Sequence, residues 1–166
     1  MTLSNGGAKR VAIFLGTALS GAAIDQATKF WAEANLANQS VQVIGDLLKF
    51  RLVYNDAAAF SLGVGVTWLL TLISTVAVIA MLIYGPRIKT SYWGLIGGFI
   101  LGGAAGNWID RVFKAPEFFS GHVVDFIQIP FNFPIFNVAD SFLVVGVALA
   151  VIQTLRGDEI GGGRAA

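Results

Sequence analysis

Cysteine is absent from this chain and histidine occurs once. The first absence removes disulfides, thiolate nucleophiles and cysteine–metal sites. The second argues against a multi-histidine metal site within one chain. Charge is scarce as well: Asp, Glu, Lys and Arg make up 13% of the residues, against about 25% in ordinary soluble domains. So little polar surface cannot cover a water-soluble globule, which points to an integral membrane protein folded as one domain over residues 1–166. The net charge of +1 supplies no electrostatic argument for nucleic acid.

What is present is mostly apolar, with a mean hydropathy of +0.71. Four stretches, near residues 11–31, 66–84, 92–109 and 137–155, approach the 20 or so residues that a membrane-spanning helix needs. Lys9-Arg10, the apolar run 11–19 and the small residues 20–23 also have the order of a cleavable signal peptide. The apolar pattern resumes beyond that point and three further spans follow. Lys9, Arg10, Arg87, Lys89, Arg156 and Arg164 lie in short segments, whereas Lys29, Lys49, Arg51, Arg111 and Lys114 lie in or beside two longer connections. Basic density marks the cytoplasmic side. Both termini are therefore expected in the cytoplasm, with the connections 32–65 and 110–136 facing outward.

In the first outward connection Leu48, Phe50, Leu52 and Tyr54 alternate with Lys49, Arg51 and Val53. Period two is the mark of a half-buried strand. Val41 and Val43 begin a similar run, and Gly45-Asp46 is a turn signal between the two. A small β-hairpin or sheet at the membrane surface is expected. The third span carries Gly94, Gly98, Gly102 and Gly106 at a spacing of four, beside a parallel row of Gly103, Asn107 and Arg111. Small residues so spaced let helix backbones approach closely in lipid. The second outward connection holds seven phenylalanines, and Pro130 and Pro134 break any continuous helix through it. The tail from Gly157 to Ala166 is glycine-rich and is expected to be disordered.

Two carboxylates stand out, Asp125 in Gly121–Phe126 and Asp140 in Phe136–Ser141, both at the edge of membrane-like sequence. A carboxylate near hydrocarbon is costly. If the connection folds back, the two can meet, and two carboxylates sharing a site do not both ionise easily. The ionised one can take a proton from water while the protonated one polarises a carbonyl and later supplies a proton. The alternative is Asp140 as a helix N-cap and Asp125 as a solvated loop carboxylate. Asn55, Asn107, Asn137 and Arg111 cluster toward the same side, as substrate contacts or as helix caps and snorkelling ends. Asp25 and Lys29, four apart, read as a local ion pair or as support beneath the site. His122 reads as a structural histidine. Ser61 and Ser141 have no evident general base.

At these residues the chain resembles the bacterial lipoprotein signal peptidase family, signal peptidase II. The matching runs are Asp25–Lys29, Asn55–Ser61, Gly102–Arg111, Gly121–Phe126 and Phe136–Ser141. The resemblance implies a mainly α integral membrane fold: four transmembrane helices, an outward β-cradle and an amphipathic outer loop. It implies an aspartic endopeptidase of the plasma (inner) membrane that cuts prolipoproteins before their diacylglyceryl-modified cysteine. Asp125 and Asp140 match the catalytic pair, and Asn55, Asn107, Arg111 and Asn137 the surrounding polar, substrate-binding residues. Asp25, Lys29, Gly102, Gly103 and Gly106 match supporting positions. A monomer with membrane lipids around it and no metal or cofactor is expected. Ala57 stands where the family usually has glycine, which bears on the loop's geometry. Two other classes remain for comparison, a proton-coupled transporter with carboxylates near the bilayer midplane and a non-catalytic scaffold using the glycine stripe.

Overall fold

The computed structural model describes residues 5–56 and 67–162. Four long helices and three strands follow in the order α1 (Asn5–Asn35), β1 (Val41–Ile44), β2 (Leu48–Asn55), α2 (Thr67–Tyr84), α3 (Ser91–Phe113), β3 (Val123–Gln128) and α4 (Val138–Leu155). The mainly α class is as expected, and each expected span coincides with a helix. The helical stretches 6–35, 67–87 and 138–155 are long and apolar enough to cross a membrane. Their outer faces carry exposed large apolar side chains, among them Leu19, Ile73, Val76 and Val144. Lipid, not water, is the solvent that suits such faces.

Helix α3 is the centre of the bundle and packs against α1, α2 and α4. Its glycines explain how. A Cβ on Gly98 would lie 2.7 Å from the Phe14 carbonyl oxygen, and one on Gly102 2.9 Å from that of Ala18. Gly103 meets α4 instead, where a Cβ would run into the Ala139 carbonyl and Leu143. The glycine stripe thus brings the α1 backbone against α3, and Gly103 brings that of α4 against it. The third neighbour is tied by a polar contact, the Trp108 indole N–H donating to Thr75 Oγ1 of α2 at 2.8 Å. Phe14, Ala18, Val78 and Leu101 form the apolar core among α1, α2 and α3.

The sheet has the order β1-β2-β3, all antiparallel. The expected hairpin is present, turning at Gly45 with φ +48°. Phe50 and Leu52 of β2 pack on Ala32, Leu36 and Phe126, which seats the sheet on the end of α1. Strand β3 departs from the loop expected around Asp125. The run Val123–Phe126 is buried and continuous, without the alternation of a half-buried strand. A strand covered on both faces loses that pattern. Asn55 closes β2, and residues 57–66, including Ala57 and Ser61, lie outside the described residues.

The tail departs from expectation over its described part. Lys89 N donates to Gly161 O at 2.7 Å, and Gly162, at φ +101°, sits against Thr90, the N-cap of α3. The chain folds back because the α2–α3 connection offers backbone partners that glycine can reach closely.

Candidate active site

The segment after β3 makes the site possible. At Phe131 and Asn132 the backbone turns through positive φ, 67° and 54°. The chain then doubles back so that Phe136 exchanges backbone hydrogen bonds with Ile127, at 2.8 and 3.1 Å. This return carries Asn137, the first turn of α4 and Asp140 to the side of Asp125. Pro130 and Pro134 keep the segment out of helix.

Helix α4 begins with a reciprocal cap. Asn137 Oδ1 accepts from Asp140 N at 2.9 Å, and Asp140 Oδ2 accepts from Asn137 N at 3.1 Å. The N-cap is therefore Asn137, and Asp140 is the third helical residue, not the cap considered above. Such a box satisfies two otherwise unpaired amides. It also fixes the carboxylate: Asp140 spends one oxygen on its own helix and receives Asn107 Nδ2 on the other, at 2.7 Å.

Asp125 lies on β3 opposite Val53. Its two oxygens accept from Asn137 Nδ2 at 2.6 Å and from Asn55 Nδ2 at 2.8 Å. The carboxylate is buried, and burial pushes its pKa up to about 6; the Asn55 hydrogen bond works against that shift, and the charge of Asp140 adds to it. A carboxyl so held changes protonation state close to neutral pH, as acid/base work requires.

Beneath the two carboxylates lies a buried ionic group. Lys29 Nζ is 2.8 Å from Asp25 Oδ2 and 2.8 Å from Asp110 Oδ2, with all three side chains fully enclosed. Its third bond goes to Asn107 Oδ1, at 2.9 Å. The same oxygen accepts from Asn137 Nδ2 at 3.0 Å. Asp25 also holds the start of α4 by accepting from Ala139 N at 2.8 Å, and Asp110 holds β3 by accepting from Val124 N at 3.1 Å. Gly106 leaves the room: a Cβ there would strike the Asp25 carboxylate. The i,i+4 pair Asp25–Lys29 is thus present and fully buried, and it serves as a deep tie among α1, α3, α4 and β3.

Asp125, Asp140, Asn55, Asn107 and Arg111 line one cavity of about 390 Å³, together with Val123 and the segment Phe133–Phe136. Asn137 stands behind the two carboxylates, buried. Of the residues singled out in the sequence, Gly102 and Gly103 serve helix packing and do not reach the cavity. His122 lines a different cavity, with Glu33, Tyr54 and Lys114. Ser141 donates its hydroxyl to Asn137 O at 3.1 Å. Two polar residues of the supporting group were not singled out beforehand. Asp110 and Gln26 fall unnamed inside the runs Gly102–Arg111 and Asp25–Lys29, and Gln26 donates to Asp110 Oδ1 and Gly106 O, both at 3.0 Å. The signal that would have found Asp110 is its place beside the glycine stripe, on the helix most enclosed by the others.

Comparison with known proteins adds a second line. The family model described as Signal peptidase (SPase) II matches residues 17–156. A lipoprotein signal peptidase of Rhodococcus jostii (strain RHA1) is 46% identical over 143 residues, which cover 86% of this chain and 72% of the relative. One of Mycobacterium leprae (strain Br4923) is 45% identical over 150 residues, covering 90% and 74%. A bacterial membrane enzyme solved by the in meso method at 1.9 Å resolution superposes with a TM-score of 0.76 at 30% identity, over 86% of this chain and 92% of that one.

Proposed function

The chain belongs to the signal peptidase II family, and from that premise we propose that Asp125 and Asp140 are the catalytic pair of an aspartic endopeptidase. The protein is a membrane signal peptidase that removes the signal peptides of lipoproteins. The observation carrying the aspartic reading is the bridge through Asn137, which donates from its side chain to Asp125 and from its backbone to Asp140. Two carboxylates held through one residue at the wall of one cavity can share a proton.

In the proposed reaction the ionised member takes a proton from a water molecule. The resulting hydroxide attacks the carbonyl of the peptide bond that precedes the diacylglyceryl-modified cysteine. The protonated member polarises that carbonyl, and a proton from the pair then reaches the departing amine. The pair titrates as a unit, so neither member is assigned a fixed role. Asn55, Asn107 and Asn137 orient the carboxylates, and Arg111, on the cavity wall, meets the substrate backbone.

α3 crosses the bilayer with α1, α2 and α4, both termini are cytoplasmic, and the sheet and cavity face outward at the plasma membrane. The substrate's acyl chains remain in lipid and enter sideways. A transporter would carry relay groups near the midplane, whereas these carboxylates stand at one end of the bundle, beside the sheet. The test of substrate and position is a synthetic prolipoprotein peptide with and without diacylglycerol on its cysteine. Mass spectrometry should find one cut, immediately before the lipidated cysteine, and none in the unlipidated peptide. Equal cutting of both would reject the lipid requirement.

A further inference from the structure

The opposite end of the bundle holds a second cavity, of about 500 Å³, a volume within the range of ligand sites, roughly 300–1,000 Å³. Trp93 lines it, and Asn107 of the candidate active site lies 14 residues further along α3, or about 21 Å at the α-helical rise. Its walls are apolar: Phe14 of α1, Met81 of α2 and Ile96 of α3 contribute. Two polar features interrupt them. Trp93 is 5% exposed, and its indole N–H is buried without a hydrogen-bond partner among the described residues. A buried indole N–H ordinarily finds an acceptor. Arg87 lines the same cavity, stacked over the Tyr84 ring at 4.8 Å and engaged in no ion pair among the described residues. The tail closes one side through Gly161, bonded back to Lys89.

We propose that this cavity binds one anionic phospholipid of the surrounding bilayer. An acyl chain lies along Met81, Ile88 and Ile100, the partly exposed apolar side chains of the wall, an ester carbonyl accepts from Trp93 Nε1, and the phosphate pairs with the Arg87 guanidinium. An anionic headgroup suits the site because a choline headgroup would bring a second cation toward Arg87. The bound lipid fills space between α1 and α2, which otherwise meet α3 more extensively than each other, and so stabilises the bundle at the end remote from catalysis.

The test uses the full chain purified in detergent and stripped of lipid. It is titrated with phosphatidylglycerol or with phosphatidylcholine of the same acyl chains. Native mass spectrometry counts bound lipid, and thermal unfolding is followed alongside. One saturable phosphatidylglycerol adduct and a higher unfolding temperature are expected. Arg87→Gln should weaken the adduct about tenfold, the size of one charge-assisted hydrogen bond. Trp93→Phe, which keeps a ring but loses the donor, should weaken it too. Lys49→Gln, at the other end, should not. Cleavage of the lipidated peptide reports that each variant is folded. Equal binding of the two lipids, or wild-type affinity in Arg87→Gln, would overturn the proposal. So would binding seen only after removal of residues 163–166, since the chain's own end would then be the occupant.

Discussion

Lys29 Nζ lies 2.9 Å from Asn107 Oδ1, and this contact decides which way the Asn107 amide faces. Lysine can only donate, so the atom it meets must be the oxygen. The amide nitrogen is thereby turned to Asp140, at 2.7 Å. A fully buried ion group thus sets the orientation of a side chain that touches a candidate catalytic carboxylate.

Replacing Lys29 by methionine should therefore be severe. Asp25 and Asp110 would be left enclosed without their common partner, and breaking a buried pair in this way costs roughly 3–5 kcal/mol. A large fall in the thermal unfolding temperature in detergent is expected. An unfolding temperature within a degree or two of wild type would show that the group contributes little.

Asn107→Ala should act on turnover more than on stability. Asp140 would lose the donor to Oδ1 while Asn137 N still holds Oδ2, Lys29 and Asn137 Nδ2 would each lose one acceptor, and misplacement of a reacting group by about 1 Å can cost on the order of a hundredfold. The measurement is kcat beside KM on a lipidated peptide. A raised KM with unchanged kcat would make Asn107 a binding residue alone.

The pH dependence follows from Asp125, whose carboxyl burial holds up to about 6. The proposed chemistry needs one proton on the pair, and that proton is lost as pH rises through the higher apparent value of the pair. For the free enzyme, kcat/KM should therefore decline on the alkaline side of about 6. Asn55 donates to the ionised form and so lowers the value; Asn55→Leu should move the alkaline limb to higher pH. A limb that stays in place or moves down would contradict a role for the Asn55–Asp125 contact in setting the pair's titration.

Two glycines should respond oppositely to alanine. A Cβ on Gly98 would stand 2.5 Å from Thr17 Cβ and 2.7 Å from the Phe14 carbonyl, forcing α1 from α3. Overpacking of that kind costs roughly 1–3 kcal/mol. Gly16 has open space where its Cβ would go, and alanine there should be neutral or stabilising by about 0.5–1 kcal/mol. Thermal unfolding of the two variants, side by side, distinguishes a packing stripe from incidental glycine.

Much of this was readable from local pattern. Spanning length gives the four helices, period two gives β1 and β2, and the i,i+4 rows of α3 give the polar end near Asn107 and Arg111. Contacts between distant parts of the chain were not readable. Asp125 meets Asn55 across 70 positions, through the pairing of a fully buried strand whose sequence lacks alternation. Asp110 meets Lys29 across 81 positions, an ion pair that no local spacing encodes. The return at Phe131 and Asn132 depends on positive φ at residues other than glycine, which turn residues alone do not announce. The two carboxylates could be named as candidates. What holds them together, Asn137 behind and Lys29 beneath, required the fold.

The central claim is that Asp125 and Asp140 act together on a peptide bond. It is tested most directly by incubating a diacylglyceryl-cysteine peptide with purified wild type, Asp125→Asn and Asp140→Asn, each shown to be folded by its thermal transition, with and without a chelator. Cleavage by wild type that resists the chelator and is lost in both variants is the predicted result. Near-normal turnover by either folded variant would contradict the account.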